Sequence, residues 1–259
     1  MTSASDRLVR VDRAGGVATL TLDSPHNRNA LSTALLAQLL DGLTAAIADQ
    51  TVRVIVLTHA GPVFSSGADL AETAAAVGSG TLPAERLGDV LAAVVESPKP
   101  VVARVAGPAR AGGIGLIAAA DLAVCTEDAT FAFSEVRIGV VPAVISATVL
   151  PRLSPRAAAE LYLTGSTFDG RRAAEIGLVT EAVPGDRLDE TVDRFCAALL
   201  RGAPGALAGV KALLRRPPAA DLRVELAELG RLSLEYFGSV EGREGIAAFW
   251  EKRDPSWVS

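Results

Sequence analysis

Residues 105–121 read VAGPARAGGIGLIAAAD and follow an apolar, β-branched run at 100–105. This pattern predicts a buried strand, a loop at 107–111 and a helix that begins near Gly112. The first N–H groups of a helix lack partners within the helix and lie at the positive end of its dipole. Because Gly112 and Gly113 have no Cβ, a ligand can approach that backbone closely. The stretch therefore predicts a main-chain site for an oxygen that gains negative charge.

Two other interpretations of these small residues exist. First, the small residues are equally compatible with close packing of a helix on a sheet. Residues 113–118 also match the G-x-G-x-x-A fingerprint of dinucleotide-binding folds, with the acidic Glu135 twenty positions after Gly115. In those folds the first glycine directly follows the strand, whereas here residues 107–112 intervene. Glu135 also lies beyond a polar turn at 126–128 and a further short strand, so we regard the fingerprint as coincidence.

Composition bounds the class of protein. The chain has 259 residues and a net charge of −5, which fits one large domain, or a domain with a helical appendage, and argues against a nucleic-acid partner. Cys125 and Cys196 lie in apolar contexts without ligand spacing, which predicts reduced core residues and no metal site. No apolar leader segment or run of about 18 apolar residues occurs. We expect a cytoplasmic protein without membrane association.

The pattern along the chain predicts an α/β fold with parallel strands, crossover helices and a helical C-terminal part. We place a core at 1–195 and a helical C-terminal region at 196–259. A loosely patterned, mobile loop is expected at 73–83. Strands are predicted at 8–11, 17–22, 52–58, 100–105, 122–125, 130–133 and 178–183. Helices are predicted at 32–48, 84–96, from 112, and at 143–150, 155–163, 170–176, 187–200, 204–214, 219–237 and 241–252.

Elimination narrows the chemistry. With only two histidines and no G-x-S-x-G elbow, a Ser or Cys nucleophile with a His base has little support, and no P-loop occurs. What remains is two Gly/Ala-rich helix starts, near Ala68 and Gly112, and the carboxylate of Glu135. Two N–H donors on one oxygen suit an enolate or a tetrahedral oxyanion, and one such donor contributes about 3 to 4 kcal/mol.

Glu135 has two interpretations from its neighbours. Between Phe133 and Ile138, loss of water would raise its pKa toward a value useful for proton transfer. Alternatively, it is a surface glutamate paired with Arg137.

Several motifs together resemble the enoyl-CoA hydratase/isomerase (crotonase) superfamily. The similarity extends from about residue 7 to residue 257. The segments that carry it are RNALS at 28–32, FSSGADL at 64–70, the glycine stretch at 111–121, the block at 163–179 that contains LTG and GLV, and EGIAAFWEKR at 244–253.

This resemblance implies a crotonase-like spiral of β-β-α turns with a C-terminal helical trimerisation region, assembled as a homotrimer or a hexamer. It implies that the N–H groups of Ala68 and Gly112 hold the thioester oxygen of an acyl-CoA substrate. Coenzyme A is part of that substrate, and no other cofactor is implied. Residues implied to contact it are Arg28, Ser66, Ala68, Asp69 and Leu70, with Phe249 and Lys252 from a neighbouring subunit.

The chain departs from the family pattern at one carboxylate. Two-carboxylate hydratases carry a Glu where this chain has Gly115, whereas the second Glu is kept as Glu135. A single base can serve both proton transfers of hydration in turn, and the same inventory suits a Δ3,Δ2-enoyl-CoA isomerase. A catalytically weak acyl-CoA-binding protein is the alternative from another class. The sequence GGIGL at 112–116, followed by SEVRIGVVPAVIS at 134–146, resembles the branch of methylglutaconyl-CoA and carboxygeranoyl-CoA hydratases.

The substrate pocket is predicted to include Gly115, Arg110 and Pro142. Gly115 is expected to leave a void where a carboxylate would stand and to remove a charge that would repel an acidic substrate. Arg110 would then pair with a substrate carboxylate; the alternative is a surface arginine in a loop.

Overall fold

The computed structural model of the chain describes residues 7–76, 83–217 and 220–258, and the elements below lie within these ranges. The strands are β1 (Val9–Ala14), β2 (Val17–Leu22), β3 (Val54–His59), β4 (Val101–Val105), β5 (Ala109–Arg110), β6 (Leu122–Thr126), β7 (Thr130–Ala132), β8 (Phe168–Asp169) and β9 (Glu181–Val183). The helices are α1 (Thr33–Ala48), α2 (Leu70–Ala76), α3 (Pro83–Glu96), α4 (Gly112–Ala119), α5 (Ala143–Val149), α6 (Pro155–Thr164), α7 (Gly170–Glu175), α8 (Leu188–Leu200), α9 (Pro204–Leu214), α10 (Leu222–Gly238) and α11 (Val240–Glu251). This confirms the predicted α/β fold with a helical C-terminal region.

The larger sheet has the strand order β1-β2-β3-β4-β6-β9. β1 and β2 form the predicted antiparallel hairpin, and the other neighbours pair in parallel. Side chains alternate between the two faces of a strand. In β3, Ile55 and Leu57 therefore enter the main core, whereas Val54 and Val56 pack on the opposite face against α8. Helices cover both faces of the parallel part, as burial of both faces requires.

Beside the smaller sheet, whose strand order is β5-β7-β8, three chain segments pair with one another in parallel. Ala109 of β5 pairs in parallel with Phe131 of β7, and Ser65 forms a parallel bridge with Ala109. A further parallel bridge joins Leu31 to Ala68. The chain therefore continues from Ser65, Ala109 and Phe131 along three neighbouring segments that run in the same direction.

Helix α4 is anchored at its C-terminal end. Arg152 donates to two carbonyl oxygens at the end of α4, at 3.1 and 2.9 Å, and a cation there also complements the helix dipole. Asp121, just after α4, accepts from the Val101 N–H at 2.7 Å and from the buried ammonium of Lys211. Since a helix is stiff, these contacts also fix its first residue, Gly112.

The C-terminal helices are tied to the core by side chains. Arg53 donates to the carbonyl oxygens of Trp257 at 2.9 Å and Gly202 at 2.6 Å. Glu241 of α11 accepts from the Gly205 N–H at the start of α9, at 2.9 and 3.1 Å. Many large apolar side chains of α10 and α11 nevertheless stay exposed in the single chain, including Leu222, Val224, Leu226, Leu234, Phe237, Val240, Phe249 and Trp250.

Some predicted boundaries are wrong. Residues 73–76 belong to α2 rather than to a loop, because the Asp69 carboxylate caps that helix by accepting from two N–H groups of its first turn. The rest of the predicted loop through residue 82, and the predicted helix start at residue 219, lie outside the described residues. Strand β9 begins only at Glu181, and the two-residue strands β5 and β8 are not predicted.

Two observations within the described ranges bear on the class of protein. Cys125 and Cys196 are buried and unpaired, and burial raises the pKa of their thiols to about 12 and about 11, as expected for packed core residues. None of the described helices is by itself long and apolar enough to cross a membrane. The helices Gly185–Leu200 and Pro204–Leu214, bent by 108° relative to each other, reach the length and apolar composition of a membrane span only when they are taken together.

Candidate functional site

The predicted site residues follow the three parallel segments at the same edge. The three segments pair at Ser65, Ala109 and Phe131. Ala68 and Gly112 lie three residues after the first two of these positions, and Glu135 lies four residues after the third. The carboxyl ends of neighbouring parallel strands meet at one edge of a sheet, where open α/β folds place their ligands. The fold therefore brings the two predicted amide donors and the predicted base to one edge, although they come from three separate parts of the chain.

Two glycines allow the amide-bearing segments to touch. A Cβ built on Gly67, whose φ is +90°, would lie 2.9 Å from the Cβ of Ala111. A Cβ on Gly113 would lie 2.8 Å from the Cβ of Ser65. Any larger residue would push the segments apart, so the packing interpretation and the site interpretation of these glycines hold together.

The N–H groups of Ala68 and Gly112 are available to a ligand. The bridge beside Ala68 uses the Gly67 carbonyl, which accepts from the Leu31 N–H at 2.8 Å. Ala68 itself is exposed, and no bond from its N–H to another described residue is found. Ala111, the residue before α4, has a φ of +46° and no side-chain acceptor, so the first N–H groups of α4 are uncapped.

Glu135 is half-buried, and its Oε2 atom is fully buried without a hydrogen-bond partner among the described residues. Burial raises the pKa of this carboxyl above its usual value, and the residue's own backbone N–H opposes that shift. The alternative pairing with Arg137 is not observed: the Arg137 guanidinium donates instead to the Thr164 carbonyl, at 3.4 Å. Of the two neighbours in the predicted apolar setting, Phe133 is buried and Ile138 is exposed, so the burial of Glu135 comes from the Phe133 side.

Two hydroxyl groups near Glu135 were not singled out in the sequence. The ring of Tyr162 on α6 packs against Phe133, with centroids 4.6 Å apart. Its hydroxyl lies 3.4 Å from Ser146 Oγ on α5, and Ser146 Oγ donates to the Pro142 carbonyl at 2.6 Å. No quoted motif contains Tyr162, and Ser146 appears only as the last residue of the SEVRIGVVPAVIS stretch. Their proximity depends on how α5 and α6 pack behind the 3-10 helix Ser134–Ile138.

The segments predicted to contact coenzyme A in one chain lie together. The Ser66 N–H donates to the Arg28 carbonyl at 2.9 Å, and Arg28 is exposed with a φ of +59°. The Asp69 carboxylate is occupied as the cap of α2, and Leu70 is the first residue of that helix. A ligand would therefore meet backbone groups here and the side chain of Arg28, rather than the Asp69 carboxylate.

Phe249 and Lys252 are not brought to this edge by the described contacts of the single chain. Phe249 is exposed on α11, and Lys252, also exposed, ends that helix with a φ of +54°. Their contribution from a neighbouring subunit stays a prediction.

The expected void at Gly115 is wrong. A Cβ at this position would lie 2.6 Å from Cγ2 and 3.0 Å from Cβ of Ile145, so the α5 side chain fills the space. The same helix follows Pro142, which is buried as expected for a wall residue. The surface at Gly115 is therefore apolar and closed.

The Arg110 side chain faces the protein. Its guanidinium donates to the Thr130 carbonyl, to Thr130 Oγ1 at 3.1 Å and to the Ala109 carbonyl at 2.9 Å. Burial also lowers its pKa. Arg110 is thus a half-buried residue of β5 and not the surface loop arginine of the alternative. The expected pairing with a substrate carboxylate would have to break these contacts.

His59 also has a structural position that the sequence did not reveal. Its Nε2 accepts from the Ala106 N–H at 3.0 Å, and its ring meets Phe64 edge to face at 5.4 Å. Burial lowers its pKa to about 4, so the ring is neutral at physiological pH. This side chain joins the end of β3 to Ala106, the residue after β4. These two positions precede, in the sequence, the segments that carry the Ala68 and Gly112 amides.

Comparison with known proteins agrees with this geometry. Residues 12–259 match the family model described as enoyl-CoA hydratase/isomerase. The chain is 33% identical to the 2,3-dehydroadipyl-CoA hydratase of Escherichia coli, over 95% of this chain and 97% of the relative. A solved structure of Pseudomonas aeruginosa AtuE has a TM-score of 0.90 at 33% identity, covering 98% of this chain and 100% of that chain. An enoyl-CoA hydratase structure from Mycobacterium avium has 48% identity and a TM-score of 0.74, covering 97% and 99%.

The contact at Gly115 predicts a penalty for adding one methyl group. Gly115→Ala should lower the free energy of unfolding by about 1 to 3 kcal/mol, because the new Cβ overlaps the Ile145 side chain. The loss should shrink in an Ile145→Ala background, measured as a double-mutant cycle by chemical denaturation. Gly88→Ala is the control, since nothing lies within 4 Å of that Cβ in α3, and it should add about 1 kcal/mol. Equal behaviour of both alanine variants would contradict the packing described.

Proposed function

The chain belongs to the enoyl-CoA hydratase/isomerase family, and we propose that it hydrates the 2,3 double bond of an acyl-CoA thioester with Glu135 as the acid and base. The observation that supports this role most directly is the buried Oε2 of Glu135, which has no described partner. A buried carboxyl without a partner is costly to the fold. Such a group is typical of a site in which the missing partner is the substrate or a reacting water.

The arrangement supports a stepwise assignment of roles. The N–H groups of Ala68 and Gly112 would donate to the thioester oxygen as it gains charge, and fixed backbone donors are effective at this task. Glu135 would take a proton from water while the water oxygen bonds to Cβ, and would then return that proton to Cα. Its raised pKa brings the base closer to neutral pH, which favours transfer in both directions.

A Δ3,Δ2-enoyl-CoA isomerase is the second candidate, favoured by the absence of a carboxylate at Gly115. Isomerisation needs one base that moves a proton between two carbons, and Glu135 could serve alone. Both reactions pass through an enolate of the thioester. Hydration adds water at Cβ and a proton at Cα, whereas isomerisation moves a proton from Cα to Cγ.

The acyl group is proposed to be of the branched or carboxylated kind. Two observations support this class: the sequences of residues 112–116 and 134–146, and the name of the Escherichia coli relative, a 2,3-dehydroadipyl-CoA hydratase. Arg110 is not assigned to the acyl carboxylate, since its donors are engaged with Thr130 and the Ala109 carbonyl.

Isotope incorporation separates the two reactions. With a panel of neutral and carboxylated enoyl-CoAs in heavy-oxygen water, the enzyme should place the label in a 3-hydroxyacyl product, because hydration bonds the water oxygen to Cβ. Glu135→Gln should lower this rate by about 10²- to 10⁴-fold, whereas Glu175→Gln on the exposed face of α7 should not. Unlabelled shift of the double bond would favour the isomerase, and binding without turnover would favour an acyl-CoA-binding protein.

The pH dependence should carry the signature of a buried carboxyl. Because the ionised form is the base, kcat/KM should fall as pH drops through a pKa above the usual glutamate value of about 4.3. The raised pKa also means that ionisation of Glu135 destabilises the fold. Stability of Glu135→Gln relative to the unmutated chain should therefore rise as pH increases above the unfolded-state pKa, and a flat difference by denaturation across pH 4 to 8 would contradict this.

We also propose that the chain self-associates through α10 and α11. Phe249 and Trp250 are 76% and 77% exposed in the single chain, and apolar patches of this kind mark interfaces. Association would let Phe249 and Lys252 of one chain contribute to the site of a neighbour, since no described contact joins them to the amide-bearing edge of their own chain. The expected states are a trimer or a hexamer of 26.6 kDa chains.

Analytical ultracentrifugation tests this association. Trp250→Glu should shift the enzyme to a monomer, because a buried charge at the interface lacks a partner, and should raise KM for the acyl-CoA if a neighbour completes the site. Gln50→Glu adds the same charge at an exposed position and should leave the sedimentation unchanged. A monomeric unmutated chain would refute the proposal.

A further inference from the structure

The direction of the Ala68 N–H is set by the other end of its own peptide group. A trans peptide is planar, so the Gly67 carbonyl and the Ala68 N–H point in opposite directions. That carbonyl accepts from the Leu31 N–H at 2.8 Å, beside the parallel bridge between Leu31 and Ala68. The aim of the Ala68 N–H therefore depends on how residues 65–68 are held against residues 29–31.

One buried hydroxyl joins these two segments. Ser65 is fully buried, and its Oγ donates to the Asn29 carbonyl at 2.8 Å and accepts from the Gly67 N–H at 3.1 Å. A serine hydroxyl has one hydrogen, and a carbonyl can only accept, so the direction of both bonds is fixed. Gly67 is thus held on both sides, at its N–H by Ser65 and at its carbonyl by Leu31.

The acceptor of that hydroxyl is held by buried hydrogen bonds of its own. Asn29 is fully buried, and its φ of +52° is a left-handed conformation that asparagine adopts more readily than most residues. Its side-chain amide donates to the carbonyls of Ala60 and Val63 at 3.0 and 2.8 Å, and its side-chain oxygen accepts from the Ser24 N–H at 2.8 Å. Ser65 is therefore tied to backbone that other buried bonds keep in place.

Ser65 also touches the segment that carries the second amide. Its carbonyl accepts from the Arg110 N–H at 3.0 Å, and a Cβ built on Gly113 would lie 2.8 Å from the Ser65 Cβ. The backbone and Cβ of Ser65 therefore set the spacing of the two amide-bearing segments. The described hydrogen bonds of its hydroxyl lie only on the Ala68 side. Removal of the hydroxyl can thus disturb one amide and leave that spacing intact.

We propose that the Ser65 hydroxyl is a positioning group that aims the Ala68 N–H at the thioester oxygen of the substrate. This rests on the proposed function, in which Ala68 and Gly112 donate to that oxygen. Without the hydroxyl, the Gly67 N–H and the Asn29 carbonyl lose a buried partner. Glycine resists a change of backbone conformation less than other residues, so Gly67 would turn and the Ala68 N–H would turn with it. The loss would be greatest in the transition state, where the oxygen carries most charge.

Steady-state kinetics tests one consequence. Ser65→Ala keeps the Cβ that spaces the segments, so it should lower the kcat of hydration by about 10- to 100-fold. KM for the enoyl-CoA should stay within about twofold, because the contacts with coenzyme A remain. The acid limb of the pH profile should also stay in place, since the base is unchanged.

Ser97→Ala is the matched control. Ser97 follows α3 and is also buried, and its Oγ donates to the Lys99 carbonyl at 2.8 Å and accepts from the Lys99 N–H at 3.1 Å. The variant removes the same pair of bonds outside the candidate site. It should lose comparable stability and keep kcat.

Infrared spectroscopy of a bound thioester measures the hydrogen bond directly. A carbonyl stretch moves to lower frequency as donors to its oxygen strengthen. The probe is butyryl-CoA, isotopically labelled at the thioester carbonyl carbon, which has no double bond to hydrate. Its band should lie lower in the unmutated enzyme than in the free thioester. Ser65→Ala should move the bound band back to higher frequency, and Ser97→Ala should leave it in place.

A second variant covers the case in which Ser65→Ala does not fold. Ser65→Cys keeps a weaker donor and acceptor at the same position. It should give values of kcat and band frequency between those of the unmutated enzyme and those expected for Ser65→Ala. An unmoved band in the cysteine variant would contradict the proposal by itself.

The outcomes decide the role. A lower kcat together with a shifted band, in the Ser65 variants alone, supports the proposal. A lower kcat with an unmoved band, an equal loss in Ser97→Ala, or no change at all overturns it. If the unmutated enzyme lowers the band but hydrates no enoyl-CoA, the hydratase function fails and the band alone decides the role of Ser65. If it binds no acyl-CoA, or binds without lowering the band, the proposed amide donors fail and this role fails with them.

Discussion

The site depends on the register in which three parallel segments pair. The bridge between Ser65 and Ala109, and the pairing of Ala109 with Phe131, set the register of segments that are far apart in sequence. A slip of one residue in a strand turns every side chain to the other face. Such a slip would turn Glu135 away from the edge or aim an amide elsewhere. The backbone hydrogen bonds of a two-residue strand thus help to set where the proposed base and the proposed amide donors lie.

Around that edge, donors and acceptors are separated in space. Uncapped backbone N–H groups lie on the segments of Ala68 and Gly112, and an unpartnered carboxylate lies on the segment of Glu135. An enolate forming from a thioester needs donors at its oxygen and an acceptor near its carbons, and this division provides both. His59 is neutral, whereas Arg110 keeps its positive charge, because its hydrogen-bond partners at Thr130 and Ala109 are neutral groups. The field at the edge therefore combines peptide dipoles, one carboxylate and this guanidinium.

The sequence predicts the elements whose pattern is local, and the motifs identify the family. The hairpin of β1 and β2 and the helix start at Gly112 both depend on adjacent residues. Other features depend on distant partners and were beyond prediction. The space at Gly115 is decided by Ile145, thirty positions later. Strands β5 and β8 are too short to show alternation, and the position of Tyr162 follows only from helix packing.

The alanine that precedes α4 has a further consequence. A side chain at a φ of +46° is strained by about 1 to 3 kcal/mol, and only surrounding contacts keep it there. Its Cβ contacts Gly67, so the peptide group between Ala111 and Gly112 is held in one orientation. A glycine at position 111 would leave that peptide group freer to rotate. In the proposed reaction, the direction of that dipole is settled when the chain folds. The cost of alignment falls on protein stability and is absent from each catalytic cycle.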